Sequence, residues 1–310
     1  MTLDPSWKSH FVASSSPPAA SASRARSFLL ITAAYVAAFV VAAVVARWAG
    51  PDTHPLRAVA LADLAATLVV FAASALANNS SVYDPYWSVA PMAIAPWLAA
   101  QPTAAGAPLA RQALVISLVT LWGLRLTYNW ARGFEDLGHE DWRYVDLRRK
   151  SGRAYWLVSL TGIHLLPTVM VYLGCLALYP ALTSPRPLGP LDALAAAVTL
   201  GAIMIELVAD EQLRAFRKAR REGEILARGL WAFSRHPNYF GEVSFWWGLF
   251  LFALAADPGG WWAGAGALVI TLLFVFASIP MLDKRSAARR PEYAEHMRRV
   301  SALVPWFPRR

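Results

Sequence analysis

The stretch FLLITAAYVAAFVVAAVVARW, residues 28–48, decides the class of this protein. It carries no charge from Phe28 to Ala46, and roughly 20 apolar residues in a helix cross about 30 Å of hydrocarbon. The run exceeds the apolar core of a secretory signal and lacks a clear cleavage site, so it reads as a retained membrane span. Seven more such runs follow, at 56–77, 86–100, 110–130, 154–178, 191–209, 243–256 and 261–282. Those at 86–100 and 243–256 are short enough to be tilted or re-entrant. Pro91, Pro96 and Pro167 are expected to kink the spans that hold them. Of the 310 residues, 57% are apolar and 16% charged, against about a quarter charged in a soluble domain. The expected fold is all-α, a polytopic transmembrane helix bundle with about 7–8 spans.

Charges between the runs set the expected topology. The net charge of +9 gathers in three stretches. The first holds Arg132, Arg143, Arg148, Arg149, Lys150 and Arg153, and the second Arg214, Arg217, Lys218, Arg220, Arg221 and Arg228. The third is the tail, with Lys284, Arg285, Arg289, Arg290, Arg298, Arg299, Arg309 and Arg310. In the loops 101–109, 179–190 and 257–260 only Arg186 is basic. The positive-inside rule puts the three stretches on the cytosolic side, and counting back through the spans puts the N-terminus and the 78–85 loop there too. The partner implied is the lipid bilayer; no nucleic-acid partner is expected.

Residues 1–27, rich in Ser, Ala and Pro, are expected to form a disordered cytosolic segment. Residues 28–77 are an N-terminal pair of spans, and 78–310 the main membrane domain. Cys175 is the only cysteine, so neither a disulfide nor a Cys-based metal site is available, and it reads as inert packing. Gly260, Gly264 and Gly266 lack the strand–turn–helix context of a dinucleotide fingerprint and read as helix-packing positions.

Chemistry concentrates in GLWAFSRHPNYFGE, residues 229–242. Arg235, His236, Asn238, Tyr239 and Glu242 crowd the head of a span. Pro237 suits the first turn of a helix, and the free N–H groups beside Arg235 and His236 make an anion site. Glu242 lies four residues beyond Asn238 on the same face. The alternative is an interfacial anchor of snorkelling Arg and headgroup-level aromatics. Asn and Glu entering the hydrocarbon argue for a site. A second cluster, Glu206, Asp210, Arg214 and Arg217, recurs at i, i+4, i+8 and i+11 as one polar stripe. It reads either as salt bridges at a helix end or as a cavity wall, which a carboxylate inside a span favours. In HEDWRY, residues 139–144, the adjacent His139, Glu140 and Asp141 point apart and lack further ligands, so no metal is expected. That segment either orders its loop or reaches a phosphate through Arg143. His164 reads as a hydrogen-bonded core histidine.

With SVYDPYW at 81–87, PEY at 291–293 and VPW at 304–306, these segments resemble the C-terminal domain of the steroid 5α-reductase family over about residues 81–306. They resemble its bacterial relatives of uncharacterised function more closely. The resemblance implies NADPH in a cytosol-facing cavity and hydride transfer to the C=C bond of a lipophilic, steroid- or isoprenoid-like α,β-unsaturated carbonyl substrate. It implies that Asp210 and Arg217 contact the adenosine part, and that Asn238 and Glu242 lie near the nicotinamide. Arg125 and Arg132 are placed near the phosphates, and Lys284 and Arg285 in a tail segment that closes over the cofactor. Arg214, Arg235, His236 and Tyr239 complete the expected cofactor-binding set. Glu206 stands where better-known eukaryotic members have Asn. Their Gln-Glu pair in an early helix is absent, leaving Asp84 as the carboxyl candidate for the catalytic group, with Tyr83, Tyr86 and Tyr128 as phenol donors. A carboxyl beside apolar surface has a raised pKa and can donate to a developing enolate; the alternative is that Asp84 caps a helix before Pro85.

The Arg-His-Pro-x-Tyr-x-Gly pattern at 235–241 also resembles isoprenylcysteine carboxyl and phospholipid methyltransferases. S-adenosylmethionine is therefore the alternative cofactor. A third class, a non-enzymatic lipid-binding protein or carrier, fits less well, because the polar residues gather at one membrane face and not at the midplane.

Overall fold

The computed structural model describes residues 24–309 apart from residue 222. Among the described residues no β-strand forms. Helix α1 (Arg24–Trp48) and α2 (Pro55–Leu76) pair as a hairpin, and His54 caps α2 by accepting the Leu56 N–H at 3.2 Å. Then come α3 (Tyr86–Ala99) and α4 (Leu109–Gly133). A bent rod follows, built from α5 (Trp142–Ser151), α6 (Tyr155–Val158) and α7 (Leu166–Cys175). A π-helical turn at Ser159–Leu165 sits just ahead of Pro167, at the point where the proline removes an N–H from the ladder. The short α8 (Leu178–Thr183) leads to α9 (Pro190–Ala219) and α10 (Pro237–Ala256). The chain closes with α11 (Ala265–Leu273), α12 (Ile279–Arg289) and α13 (Tyr293–Arg299).

Seven helical rods among the described residues are long and apolar enough to cross a membrane: 24–48, 55–76, 109–133, 142–175, 190–219, 237–256 and 260–289. The protein is an integral multi-pass membrane protein. The 86–100 run forms only the 14-residue α3, about 21 Å at 1.5 Å per residue, yet the chain changes sides there. Asn79, just before it, donates to Leu137 and His139 beyond the end of α4. Arg111, just after it, pairs with Asp192 at the start of α9. The two ends of α4 lie on opposite faces, so α3 connects those faces.

Several boundaries differ from the sequence expectation. α1 begins at Arg24, and the buried Ser27 accepts the Leu137 N–H at 3.1 Å, so disorder does not extend to residue 27; residues 1–23 lie outside the described residues. The run at 191–209 continues as one helix to Ala219, capped there by the Arg220 N–H donating to the Phe216 carbonyl. The run at 243–256 begins at Pro237, at N1.

Two packing features position the site. α4 and α9 run parallel in fixed register. Arg111 meets Asp192, Arg125 meets Glu206 and Asn129 meets Asp210, each pair 81 residues apart. α10 lies flat on α9 through Gly241 and Gly248, where a Cβ would overlap Glu206 and Thr199 respectively. Close approach of this kind is what small residues provide between membrane helices. The three basic stretches meet on one face. Arg132 pairs with Glu211, the Arg285 guanidinium lies 3.3 Å over the Trp142 ring, and Arg235 pairs with Asp283 at 2.6 Å.

Candidate functional site

A cavity of about 490 Å³ opens among α4, α7, α9, α10 and α11 near that basic face. Its wall includes Tyr83, Asp84, Ser88, Asn129, Asp141, Arg143, Tyr144, Glu206, Asp210, Asn238, Tyr239 and Glu242, with Trp87, Trp130, Trp246 and Phe274 as apolar surface. Of the residues expected from the sequence, Asp84, Glu206, Asp210, Asn238, Tyr239 and Glu242 thus line one cavity.

Each arrives by a local device. Asn238 and Glu242, one turn apart, share the α10 face that the α10–α9 contact turns inward. Glu206 and Asp210 share the α9 face turned toward α4. Both pair across to Arg125, whose Nη2 donates to Glu206 and whose Nη1 donates to Asp210 at 2.9 Å. Asn129 donates to the same Asp210 oxygen at 3.0 Å. The carboxyl half of the polar stripe is therefore paired across to α4 and not closed by i,i+4 pairs along α9, while Arg217 at its outer end is exposed. Glu242 is buried and receives two indole N–H groups, from Trp122 at 3.0 Å and Trp246 at 2.8 Å. Three carboxyls, Glu206, Asp210 and Glu242, thus surround one guanidinium.

The cluster's hydrogen bonding is incomplete. Glu206 Oε1, Asn238 Oδ1 and Arg125 Nε are buried without a partner among the described residues. Buried polar groups are nearly always paired, and an unmet acceptor costs about 1–3 kcal/mol. Glu206 Oε1 and Asn238 Oδ1 can accept further hydrogen bonds, and Arg125 Nε can donate one.

On another part of the wall, the Tyr144 hydroxyl donates to Asp84 at 2.6 Å. Burial pushes the Asp84 carboxyl up to about 7, with the Tyr144 hydrogen bond opposing the shift. Asp84 does not cap α3: Pro85 occupies the cap position there and no side chain serves it. The phenol partner is Tyr144, which sequence reasoning missed. The carboxyl partner is not Tyr86, which donates to Asp63 at 2.9 Å, nor Tyr128, which is 62% exposed with Arg132 stacked 4.6 Å over its ring. The signal that pointed to Tyr144 was its place in HEDWRY, where Arg143 reaches the same wall. The rest of that segment orders the loop: Glu140 accepts the Ser80 N–H at 2.7 Å, and Asp141 caps α5.

The remaining expected residues lie apart from the wall. Arg235 and His236 turn to Asp283, at 2.6 and 3.0 Å, and Tyr293 donates to it at 2.9 Å, so they lock the tail to the head of α10. Arg132 is held by Glu211 and Asn129. Arg214, Arg217, Lys284 and Arg285 ring the same face; Arg217 is exposed and makes no hydrogen bond among the described residues. His164 is a buried core residue between Ser159 and Ser74.

Fold and site together define a multi-pass membrane protein with a polar cavity near one face of its bundle. The chain belongs to the family described as "Protein of unknown function (DUF1295)", whose model matches residues 70–300. It is similar to a protein of Schizosaccharomyces pombe named "Uncharacterized protein C594.04c", with 26% identity over 278 residues, covering 82% of this chain and 80% of that one. No solved structure matches the chain.

Proposed function

We propose that the cavity holds the nicotinamide end of NADPH, and that the protein is a membrane reductase of the steroid 5α-reductase type acting on a lipophilic α,β-unsaturated carbonyl compound. The observation that carries this reading is the pair of unmet buried acceptors, Glu206 Oε1 and Asn238 Oδ1. A carboxamide is a planar donor of two N–H groups and satisfies acceptors of this kind. Arg132, Arg214, Arg217, Lys284 and Arg285 lie around the same face, where guanidinium and ammonium groups suit phosphates. By the positive-inside rule this face is cytosolic.

NADPH, when bound, supplies the hydride. The residues of this chain do the rest. Glu206 and Asn238 orient the carboxamide, and Arg125 holds Glu206 and Asp210 in place for it. The apolar wall of Trp87, Trp130 and Phe274 excludes water. Asp84, with a pKa of about 7, is about half protonated at neutral pH. Aided by Tyr144, it hydrogen-bonds the carbonyl oxygen as negative charge develops there.

A second reading has its own support. The wall carries five carboxyls, those of Asp84, Asp141, Glu206, Asp210 and Glu242, against the lining guanidinium of Arg143 and that of Arg125, which pairs with Glu206 and Asp210. That balance suits a cation, and the sulfonium of S-adenosylmethionine is one. Thermal shift of the protein in lipid nanodiscs with NADPH, NADH or S-adenosylmethionine separates the two. The reductase reading expects NADPH-selective stabilisation of about 2.7 kcal/mol at a hundredfold excess over Kd, lost in Arg217→Ala and Asn238→Ala. Stabilisation by S-adenosylmethionine alone removes that reading and supports the second.

A further inference from the structure

We infer that a second cavity, of about 240 Å³ between α1, α2 and α3, binds an apolar molecule that carries a hydroxyl group and enters from the bilayer. Its walls are membrane helices, and the space exists because they present alanines there, Ala42, Ala62 and Ala90 among them. A cavity of about 150 Å³ holds benzene, so this one takes an alkyl or isoprenoid segment of about ten heavy atoms by the same proportion.

The polar groups on the wall belong to Asp63, Tyr86 and the indole N–H of Trp97. Asp63 lies eight residues into α2, about 12 Å from its start, and is 6% exposed. Its Oδ1 accepts the Tyr86 hydroxyl at 2.9 Å, whereas its Oδ2 is buried without a partner, and no cation pairs with it among the described residues. A carboxyl inside a span sits beside a partner or a cavity, and Asp63 is one of the residues that line this one.

A hydroxyl is the group that fits, because it donates to an ionised carboxyl and accepts from a neutral one. An ammonium matches only the first state and a carbonyl only the second. The inference does not depend on what the larger cavity holds.

The test uses the full chain in phosphatidylcholine nanodiscs, with 1-decanol, decane and decylamine as probes at equal membrane concentration. The readout is thermal shift, checked by quenching of Trp97, which lines the cavity, as the signal lost in Trp97→Phe. Decanol is expected to bind about tenfold more tightly than decane, the size of one hydrogen bond to a carboxyl. That preference disappears in Asp63→Leu, and all probe binding falls in Ala42→Leu, which fills the space. Equal binding of decanol and decane, or a preference that survives Asp63→Leu, overturns the inference; tighter binding of decylamine overturns the hydroxyl. Should Asp63→Leu fail to fold, Ala42→Leu decides alone, since undiminished decanol binding there also overturns the site.

Discussion

Arg111 and Arg125 lie on the same helix and face partners on the same neighbouring helix, in the same register, yet their surroundings differ. Arg111 is 0% exposed, and its donors are spent on Asp192 at 2.6 and 3.1 Å and on the Arg186 and Pro187 carbonyls at 2.7 and 3.0 Å. Asp192 in turn accepts the Gly189 N–H at 2.8 Å. Arg125 meets Glu206 and Asp210, but its Nε and the Glu206 Oε1 go unmet, and a cavity lies beside them. The first pair is closed and ties the starts of α4 and α9 together. The second is open, and its missing partners are the argument for a ligand. Burial and opposite charge are common to both; completeness of hydrogen bonding separates a clamp from a site.

The largest expected effect tests the clamp. Arg111→Met leaves Asp192 buried without its cation, a situation that costs about 3–5 kcal/mol. Denaturant or thermal unfolding in detergent is expected to register that loss, with ligand-induced stabilisation of the remaining folded protein unchanged. Arg125→Met is expected to cost less stability, because its carboxyl partners border a cavity, and to abolish the ligand response. The reverse ranking breaks the comparison.

Asp84 carries the contrast to another part of the cavity wall and gives it a pH signature. Its carboxyl titrates at about 7 in the folded chain, against an ordinary value near 3.8. The unfolded chain therefore releases this proton first as pH rises. Stability falls between about pH 4 and pH 7 and is level above that, by up to about 4 kcal/mol. Asp84→Asn, which keeps a polar group beside Tyr144, is expected to flatten this slope in unfolding curves taken from pH 4 to 8. In the reductase reading the rate also declines above pH 7 in the parent and not in the variant. An unchanged slope would show that Asp84 titrates normally.

Glu206→Gln sharpens the comparison at the site itself. The amide keeps the shape and removes the charge. Its N–H groups then compete with a ligand's donors where Oε1 now accepts. Ligand affinity is expected to drop by about tenfold to a hundredfold, the range for a hydrogen bond to a charged group of about 1.5–3 kcal/mol, while stability changes by less than about 1 kcal/mol. A large stability loss with intact binding would make Glu206 a clamp residue like Asp192.

Much of this was readable from the chain alone. Eight apolar runs were visible because hydrocarbon thickness imposes a length on each. Glu206, Asn238 and Glu242 stood out because polar groups inside spans are costly. What escaped was whatever depends on which helices are neighbours. The constant offset of 81 residues between Arg111 and Asp192, Arg125 and Glu206, and Asn129 and Asp210 has meaning only once α4 and α9 are known to lie side by side. Arg235 and His236 had the residue types of an anion site, but Asp283, 48 residues from Arg235, claims them. Tyr144 sat in a segment whose other members order a loop, and its role follows from a contact across 60 residues to Asp84. Asp63 was open to the argument used for Glu206, as a lone carboxylate inside an apolar run.

The smallest expected effect lies at the outer end of the same helix pair. Arg132 pairs with Glu211, with side-chain exposures of 19% and 47%, so water and salt reach this rung. Exposed pairs of this kind contribute about 0–1 kcal/mol, and Arg132→Gln is expected to shift unfolding by no more than that. Its effect belongs instead to binding. If phosphates approach this face, the variant weakens nucleotide affinity modestly, and the difference shrinks as salt rises from low to about 0.5 M, where screening shortens to a few ångströms. Along one helix pair the guanidinium thus changes role with depth, from clamp at Arg111, to incomplete partner at Arg125, to solvated collar at Arg132. A salt-independent loss of several kcal/mol in Arg132→Gln would break that gradient.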